Sequence, residues 1–343
     1  MQFWVSTISG SFLLLLAAFE VFSSVLHPRA VTGPMTSIVN KSIHVLLRSR
    51  LGRIRRIAVA AGPLLVLAQI LVWAGLLLFG ASLIFWPQLG GGITAAGEQL
   101  PDTSFSTAVY FAGFNLTTLG IGDLVPKTAA MQWITVGVAG LGFSFFTLVL
   151  TYVMSIYSTL VGRNRIADEI HYRTGGTGES TEYLKEYLGD DKASLLNQDL
   201  FKLSSDLAVL LESHHFYPAL HYFRFGESHY AMSRMLRFCF ETSTCLRALV
   251  NIGCADWLIS REPTNRITYA SHKLLSDTLR YFVRFGTDNR HDEAMNPDEI
   301  AMHAKQAGLE FDTQRFSSEY RRLKSEWSND LESLRACIGE QIT

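Results

Sequence analysis

An all-α membrane protein carrying a helical, water-facing domain is the fold class that this 343-residue sequence predicts. Three observations carry the prediction. Residues 1–26, 57–86 and 128–161 are apolar runs with one charge among them, Glu20. Each is long enough for a bilayer core that takes about 20 helical residues to cross. Charge is divided unevenly: residues 1–161 hold 8 Lys and Arg against 4 Asp and Glu, and residues 162–343 hold 22 against 27. In that second part apolar residues recur at three- and four-residue spacing over 182–211, 227–252, 265–285 and 311–338, while strand alternation is scarce.

The first run is expected to be a retained helix, because a cleaved signal peptide would need a basic n-region before it and a small-x-small site after it. Glu20 lies sixteen residues beyond Trp4, about 24 Å along a helix. That spacing puts it near the far interface, reaching the headgroups or pairing with a basic residue of the next loop. Residues 27–56 carry Arg29, Lys41, Arg48, Arg50, Arg53, Arg55 and Arg56 and no acid. The positive-inside rule makes this loop cytoplasmic and the N-terminus external. Ile43, Leu46, Leu47, Leu51 and Ile54 lie among these bases, so residues 38–56 read either as an interfacial helix meeting anionic headgroups or as a solvated basic face.

The run 57–86 exceeds one crossing and is expected to tilt, with Pro63 in its first turns and Trp86-Pro87 at the outer interface. Residues 89–101 form a glycine-rich external linker carrying Glu98, followed by Asp102. A short helix over 103–116, N-capped by Asp102, Thr103 or Ser104, offers Phe105, Val109, Phe111 and Phe114 for packing. It runs into Thr117-Thr118-Leu119-Gly120-Ile121-Gly122-Asp123. Gly120 and Gly122 can enter φ/ψ regions closed to residues with a side chain, which lets successive carbonyls turn towards one axis. Thr118 can add a hydroxyl to that column. A Gly-x-Gly-Asp string alone is a common turn; the helix before it and the uncharged segment after it set this one apart.

The order outer helix 57–86, pore helix 103–116, filter 117–123 and inner helix 128–161 resembles the pore module of the potassium-channel family, of the two-transmembrane type with an extra N-terminal helix. The resemblance implies a filter whose carbonyls replace the hydration shell of K⁺, with K⁺ held at Thr118, Leu119, Gly120 and Ile121 and the acid Asp123 following. It implies a homotetramer, since one motif supplies a quarter of the ring. Glu98 and Asp102 would then raise the local cation concentration at the mouth. The pore-helix dipole would favour a cation at its C-terminal end. The sequence departs from the family at Tyr110 and Phe111, where many relatives carry bracing tryptophans. It departs again at Phe114, where some bacterial relatives carry a glutamate bonded to the acid after the filter, and at Ile121, where Tyr or Phe is usual. These departures bear on filter rigidity.

In the inner helix, Gly137, Gly140 and Gly142 are candidates for a bend or for close packing. The family's hinge glycine commonly lies twenty residues after the second filter glycine, which is Gly142 here. Phe143, Phe146 and Leu150 share a face with Met154 one turn further, an apolar wall able to gate by dewetting. Residues 162–165, Gly-Arg-Asn-Arg, stop the membrane segment and place the remainder in the cytoplasm. Residues 172–180, with Gly175, Gly176 and Gly178, read as a linker.

The soluble half lacks a Gly-x-Gly-x-x-Gly after a strand, a nucleophile–base pair, a phosphate loop and a zinc-type spacing, so neither enzymatic activity nor a cofactor is expected. Phe225-Gly226-Glu227 only faintly resembles a cyclic-nucleotide cassette. His214, His215, His221 and His229 read as partly buried histidines rather than a metal or proton sensor. Cys239, Cys245, Cys254 and Cys337 show no Cys-x-x-Cys spacing and read as reduced cytosolic thiols. No basic surplus points to nucleic acid.

The expected protein is a K⁺-selective channel subunit with K⁺ as the permeant ion, multi-pass in the plasma or inner membrane, gated by inner-helix bending at Gly142. Its cytosolic domain is the place for an unidentified ligand or protein. Alternatives are a nonselective cation channel, and a membrane-anchored signalling or binding protein with a non-conducting pore. The bases at 48–56 precede the apolar run and are not spaced through it, so no voltage sensor is expected.

Overall fold

The computed structural model describes residues 2–27, 33–48, 54–97, 102–187, 192–254, 261–282, 298, 301–302, 305 and 310–338. Arg29, Arg50, Arg53, Glu98 and residues 283–285 lie outside them. The chain divides into two compact units, Met1–Val45 with Pro63–Tyr157, and Leu46–Gly62 with Ser158–Thr343.

The first unit is built on three helices long and apolar enough to cross a bilayer. Helix α1 spans Gln2–Val21 and continues as a π-turn over Phe22–Leu26. Helix α2 spans Pro34–Arg48, α3 Arg55–Phe85, and α5 Ala129–Arg173. Pro63 sits inside α3, early enough that few intrahelical bonds need its missing N–H. Between α3 and α5 lie strand β1 (Ile93–Ala95), the short helix α4 (Phe105–Leu116) and strand β2 (Leu124–Pro126). The strands pair antiparallel, Ile93 with Pro126 and Ala95 with Leu124. At three residues each they are too short for alternation to reveal, and the sequence did not predict them.

Helix α2 replaces most of the expected basic loop, and its amphipathicity is inverted. Thr36, Asn40 and His44, one turn apart, are buried, whereas Ile38 and Val45 are exposed. Glu20 also departs from expectation, because its partners among the described residues are not basic. It is fully buried and caps the start of α2, accepting the N–H of Met35 at 2.6 Å and of Thr36 at 3.1 Å and the Thr36 hydroxyl at 2.6 Å. The first N–H groups of a helix lack internal acceptors, and the helix dipole favours negative charge there. The carboxylate lies directly against Gly33, where a Cβ would come within 2.4 Å of it.

The second unit holds the end of α5 and helices α6 (Ser180–Lys185), α7 (Ala193–Phe216), α8 (Met232–Asn251), α9 (Arg261–Phe282), α10 (Thr313–Lys324) and α11 (Ser328–Ile338). Helix α8 is buried on every side, with α6, α9, α10 and α11 packed around it. Phe240 stacks on Trp327 at 5.0 Å, and the Trp327 indole donates to Thr244 at 3.0 Å. Gly175, Gly176 and Gly178 all take left-handed φ, so the predicted linker is a tight turn. Its fold is closed by the Gly178 N–H donating to the Thr174 hydroxyl at 2.7 Å. The inner helix does not stop at residues 162–165 as expected but runs on to Arg173. Arg163 is buried there, donating to the Phe223 carbonyl and lying over the Phe225 ring at 4.9 Å.

Candidate functional site

The site is assembled at the C-terminal end of α4. Ser104 is the N-cap of this helix, accepting the Thr107 N–H. Asp102 in turn accepts the Ser104 and Thr107 hydroxyls, and these bonds, Ser104 first, hold its carboxyl below the usual range. On the buried side of α4, Phe111 meets Phe85 edge-on at 4.8 Å and Phe114 at 5.1 Å, within a core that includes Ala108, Ala112, Ile93 and Val138. The two phenylalanines that depart from the family's polar or tryptophan positions are therefore packing residues. The Tyr110 hydroxyl lies near the Asp123 carboxylate, the acid after the filter.

Helix α4 ends in a Schellman motif. The Thr118 N–H donates to Asn115 O and the Leu119 N–H to Phe114 O, at 3.0 and 2.8 Å. The left-handed position of this motif is normally glycine. Here Thr118 occupies it, with φ of 56°, and among the described residues no other non-glycine has positive φ. A β-branched residue in that region is a true outlier that costs on the order of 1–3 kcal/mol. Gly120 (φ 60°) and Gly122 (φ 83°) follow at alternate positions, so the backbone reverses its turn at every second residue from 118 to 122.

Both ends of this segment are clamped. At the outer end Asp123 O accepts the Ala96 N–H at 2.8 Å, extending the β1–β2 pairing. At the inner end α5 crosses the last turn of α4. A Cβ on Gly142 would lie 2.0 Å from Leu116 O, where ordinary contact begins at 3.4 Å. Gly137 and Gly140 face open space. Helix α5 passes through Gly142 unbroken, and the glycine expected as a hinge makes room for the carbonyl that precedes Thr117. Every residue from Thr117 to Asp123 is exposed in the single chain. So are Phe143, Phe146, Leu150 and Met154, on one face of α5, while Tyr152 and Ile156 are buried on the other. The expected site residues thus fall into two groups, the clamped segment 117–123 and an exposed apolar stripe on α5.

The histidines of the second unit are spread among separate partners. His215 meets Asp277 at 3.0 Å, His229 meets Asp168 at 3.3 Å, and the His214 ring lies tilted 4.7 Å from that of His221 with its Nδ1 on Leu210 O. Burial drives the His214 pKa down to about 4 and that of His221 well below the ordinary value. Among the described residues no group of three His, Cys, Asp or Glu side chains could hold a metal ion. Burial also pushes the Cys239 thiol up to about 12, making it a packing residue and not a nucleophile.

Residues 71–159, from within α3 through the clamped segment into α5, match the family described as "Ion channel". The chain is also similar to "Uncharacterized membrane protein YdjJ" of Bacillus subtilis (strain 168), 24% identical over 216 residues. That alignment spans 63% of this chain and 62% of the relative, less than two thirds of its length. No solved structure matches. Residues 71–159 therefore resemble the ion-channel family, within a chain whose described residues include three helices long and apolar enough to cross a membrane.

Proposed function

We propose that four copies of this chain form a K⁺-selective channel, each contributing Thr117 to Asp123 to one filter, with K⁺ held by the oxygens of Thr118, Leu119, Gly120 and Ile121. The observation that carries the reading is Thr118. A glycine there would relieve a strained backbone at the helix cap, and the threonine that stands in its place sets a hydroxyl at the start of the carbonyl column. The alternating left-handed positions at 118, 120 and 122 supply the rest, since they turn carbonyls to one side, with no side chain in the way at Gly120 and Gly122. Passive flow would be driven by the electrochemical gradient. The stripe Phe146, Leu150 and Met154 would line the cavity and gate by dewetting. The basic stretch 27–56 supports an external N-terminus and a cytoplasmic second unit.

The test is flux in proteoliposomes under K⁺ and Na⁺ gradients. The unmodified protein should pass K⁺ and Rb⁺ far better than Na⁺. Thr118→Gly should keep or raise stability and yet lose selectivity, and Gly120→Ala should abolish current. Equal K⁺ and Na⁺ permeability in the unmodified protein would overturn the reading in favour of a nonselective cation channel. Gly142→Ala tests the gate. A bend at Gly142 would lower open probability alone, whereas the Leu116 contact means that conductance and selectivity should fall with it.

A further inference from the structure

The first unit buries polar side chains away from the filter, in two hydrogen-bonded chains that meet where the Tyr152 ring lies beside Trp73. Thr36 of α2, bonded to Glu20 of α1, accepts the Trp73 indole N–H of α3 at 3.2 Å. One turn along α2, Asn40 accepts from the Gln69 carboxamide at 2.8 Å. Gln69 then accepts the Tyr152 hydroxyl of α5 at 3.2 Å, while the Tyr152 ring lies 5.8 Å from that of Trp73. Glu20, Thr36, Asn40, Gln69, Trp73 and Tyr152 are all buried. Gln69 is the only carboxamide, and with Ser82 one of only two polar side chains apart from the Trp73 and Trp86 indoles, in the uncharged run 57–86.

Buried polar groups in a membrane segment are expensive unless paired, and in that setting they are retained for a purpose. The inverted face of α2 matches them: Thr36 and Asn40 point inward because Trp73 and Gln69 are there to receive them. Tyr152 sits on α5 between Leu150 and Met154, on the opposite side from the apolar stripe. The two hydrogen-bonded chains start outside the matched channel segment, at Glu20, Thr36, Asn40 and Gln69, and end inside it, at Trp73 and Tyr152.

We propose that α1 and α2 form a holding device for the inner helix, acting through Asn40, Gln69 and Tyr152, and that this device sets how readily α5 moves. Gln69 is the positioning residue, since its single carboxamide bonds α2 on one side and α5 on the other. Glu20 acts at one remove by fixing the start of α2, and with it the register of Thr36 and Asn40. The gating part of the proposal rests on the channel reading; the holding of α5 does not.

Tyr152→Phe removes one hydroxyl and keeps the ring against Trp73, and Gln69→Leu removes both bonds. Hydrogen–deuterium exchange in the full-length protein should run at least fivefold faster over residues 148–156 of α5 in both variants. In planar bilayers both should shift open probability in the same direction by at least tenfold, with unit conductance and ion selectivity unchanged. The double variant should go no further than Gln69→Leu alone, because the two substitutions break one path. Ser82→Ala, a buried hydroxyl whose hydrogen bond among the described residues is to its own helix at Leu78 O, is the control and should change neither readout. Unchanged exchange in Tyr152→Phe, or additive effects in the double variant, would overturn the proposal. If the unmodified protein carries no current, the channel reading fails, and the exchange rates still decide whether the path holds α5.

Discussion

The two units turn opposite kinds of side chain outward. In the first, Thr36, Asn40 and Gln69 lie inside while Phe12, Leu71 and Trp133 face outward. In the second, Phe240, Leu246 and Leu274 fill the centre and ion pairs such as Arg165–Asp206 sit at the surface. Among the described residues each unit contains one deeply buried carboxylate, and the contrast holds there too. Glu20 is held by backbone N–H groups at a helix start. Glu241 is held by Arg237 at 2.9 Å, and burial still pushes its carboxyl above the ordinary range. The difference teaches what surrounds each unit: apolar side chains go to whichever side lacks water, and polar ones pair internally where the surroundings offer no partner.

That comparison can be broken most directly at its centres. Phe240→Ala should cost about 3–5 kcal/mol, the range for emptying a packed aromatic site. Phe12→Ala, on the outward face of α1, should change stability by less than about 0.5 kcal/mol. Denaturant titration of the detergent-solubilised protein, followed by Trp327 for the second unit, would measure both. Similar costs would mean that the exposed face of α1 is covered within the protein.

Acid should separate the units next. The His214 pKa is lowered in the folded state, from 6.5 to about 4, first by burial, with Arg163 and His215 acting in the same direction and the Leu210 carbonyl against them. The folded state therefore binds fewer protons than the unfolded one between those values. Stability present above pH 6.5 is lost as pH falls towards 4, by on the order of 3 kcal/mol at 1.36 kcal/mol per unit. The neighbouring His221 shifts the same way. His214→Leu should flatten the profile of the second unit over this window, and an unaltered profile would remove His214 as its source.

A smaller effect sharpens the reading of α5. Gly137 has open space around it, so Gly137→Ala should raise stability by about 1 kcal/mol, the helix cost of glycine relative to alanine. A loss in its place would put a neighbouring subunit's backbone against Gly137, which thermal unfolding of the assembled and dissociated forms would reveal. Least of all should come from Asp206→Asn, since Arg165 is 67% exposed. Exposed ion pairs are worth about 0.2–1 kcal/mol and are screened by salt, so the change in midpoint should vanish at high ionic strength.

Three helices, their approximate ends apart from that of the inner helix, which runs on to Arg173, and the glycine-framed segment between two of them were legible because they depend on local properties: charge, run length, helical spacing and the absence of Cβ at 120 and 122. The helical blocks of the second part were legible for the same reason. Residues 182–211 resolve into α6 and α7, and 311–338 into α10 and α11. The strand pair escaped because three residues carry no period. The strain at Thr118 escaped because backbone conformation at a non-glycine residue leaves no mark on composition.

What the sequence by itself determined, then, is where the chain meets lipid and where its backbone is free to turn. Who pairs with whom was decided only by tertiary structure. Glu20 had basic residues available nearby in sequence, yet a helix start brought two N–H groups and a hydroxyl within reach. Arg163 reads as an interfacial anchor but lies under Phe225 and the Phe223 carbonyl, sixty residues on. Gly142 reads as a hinge by its distance from the filter, while its contact with Leu116 exists because two helices cross there. The physical reason is the same in all three. A side chain's solvation and charge are its own, but a contact belongs to two segments and depends on the path of the chain between them.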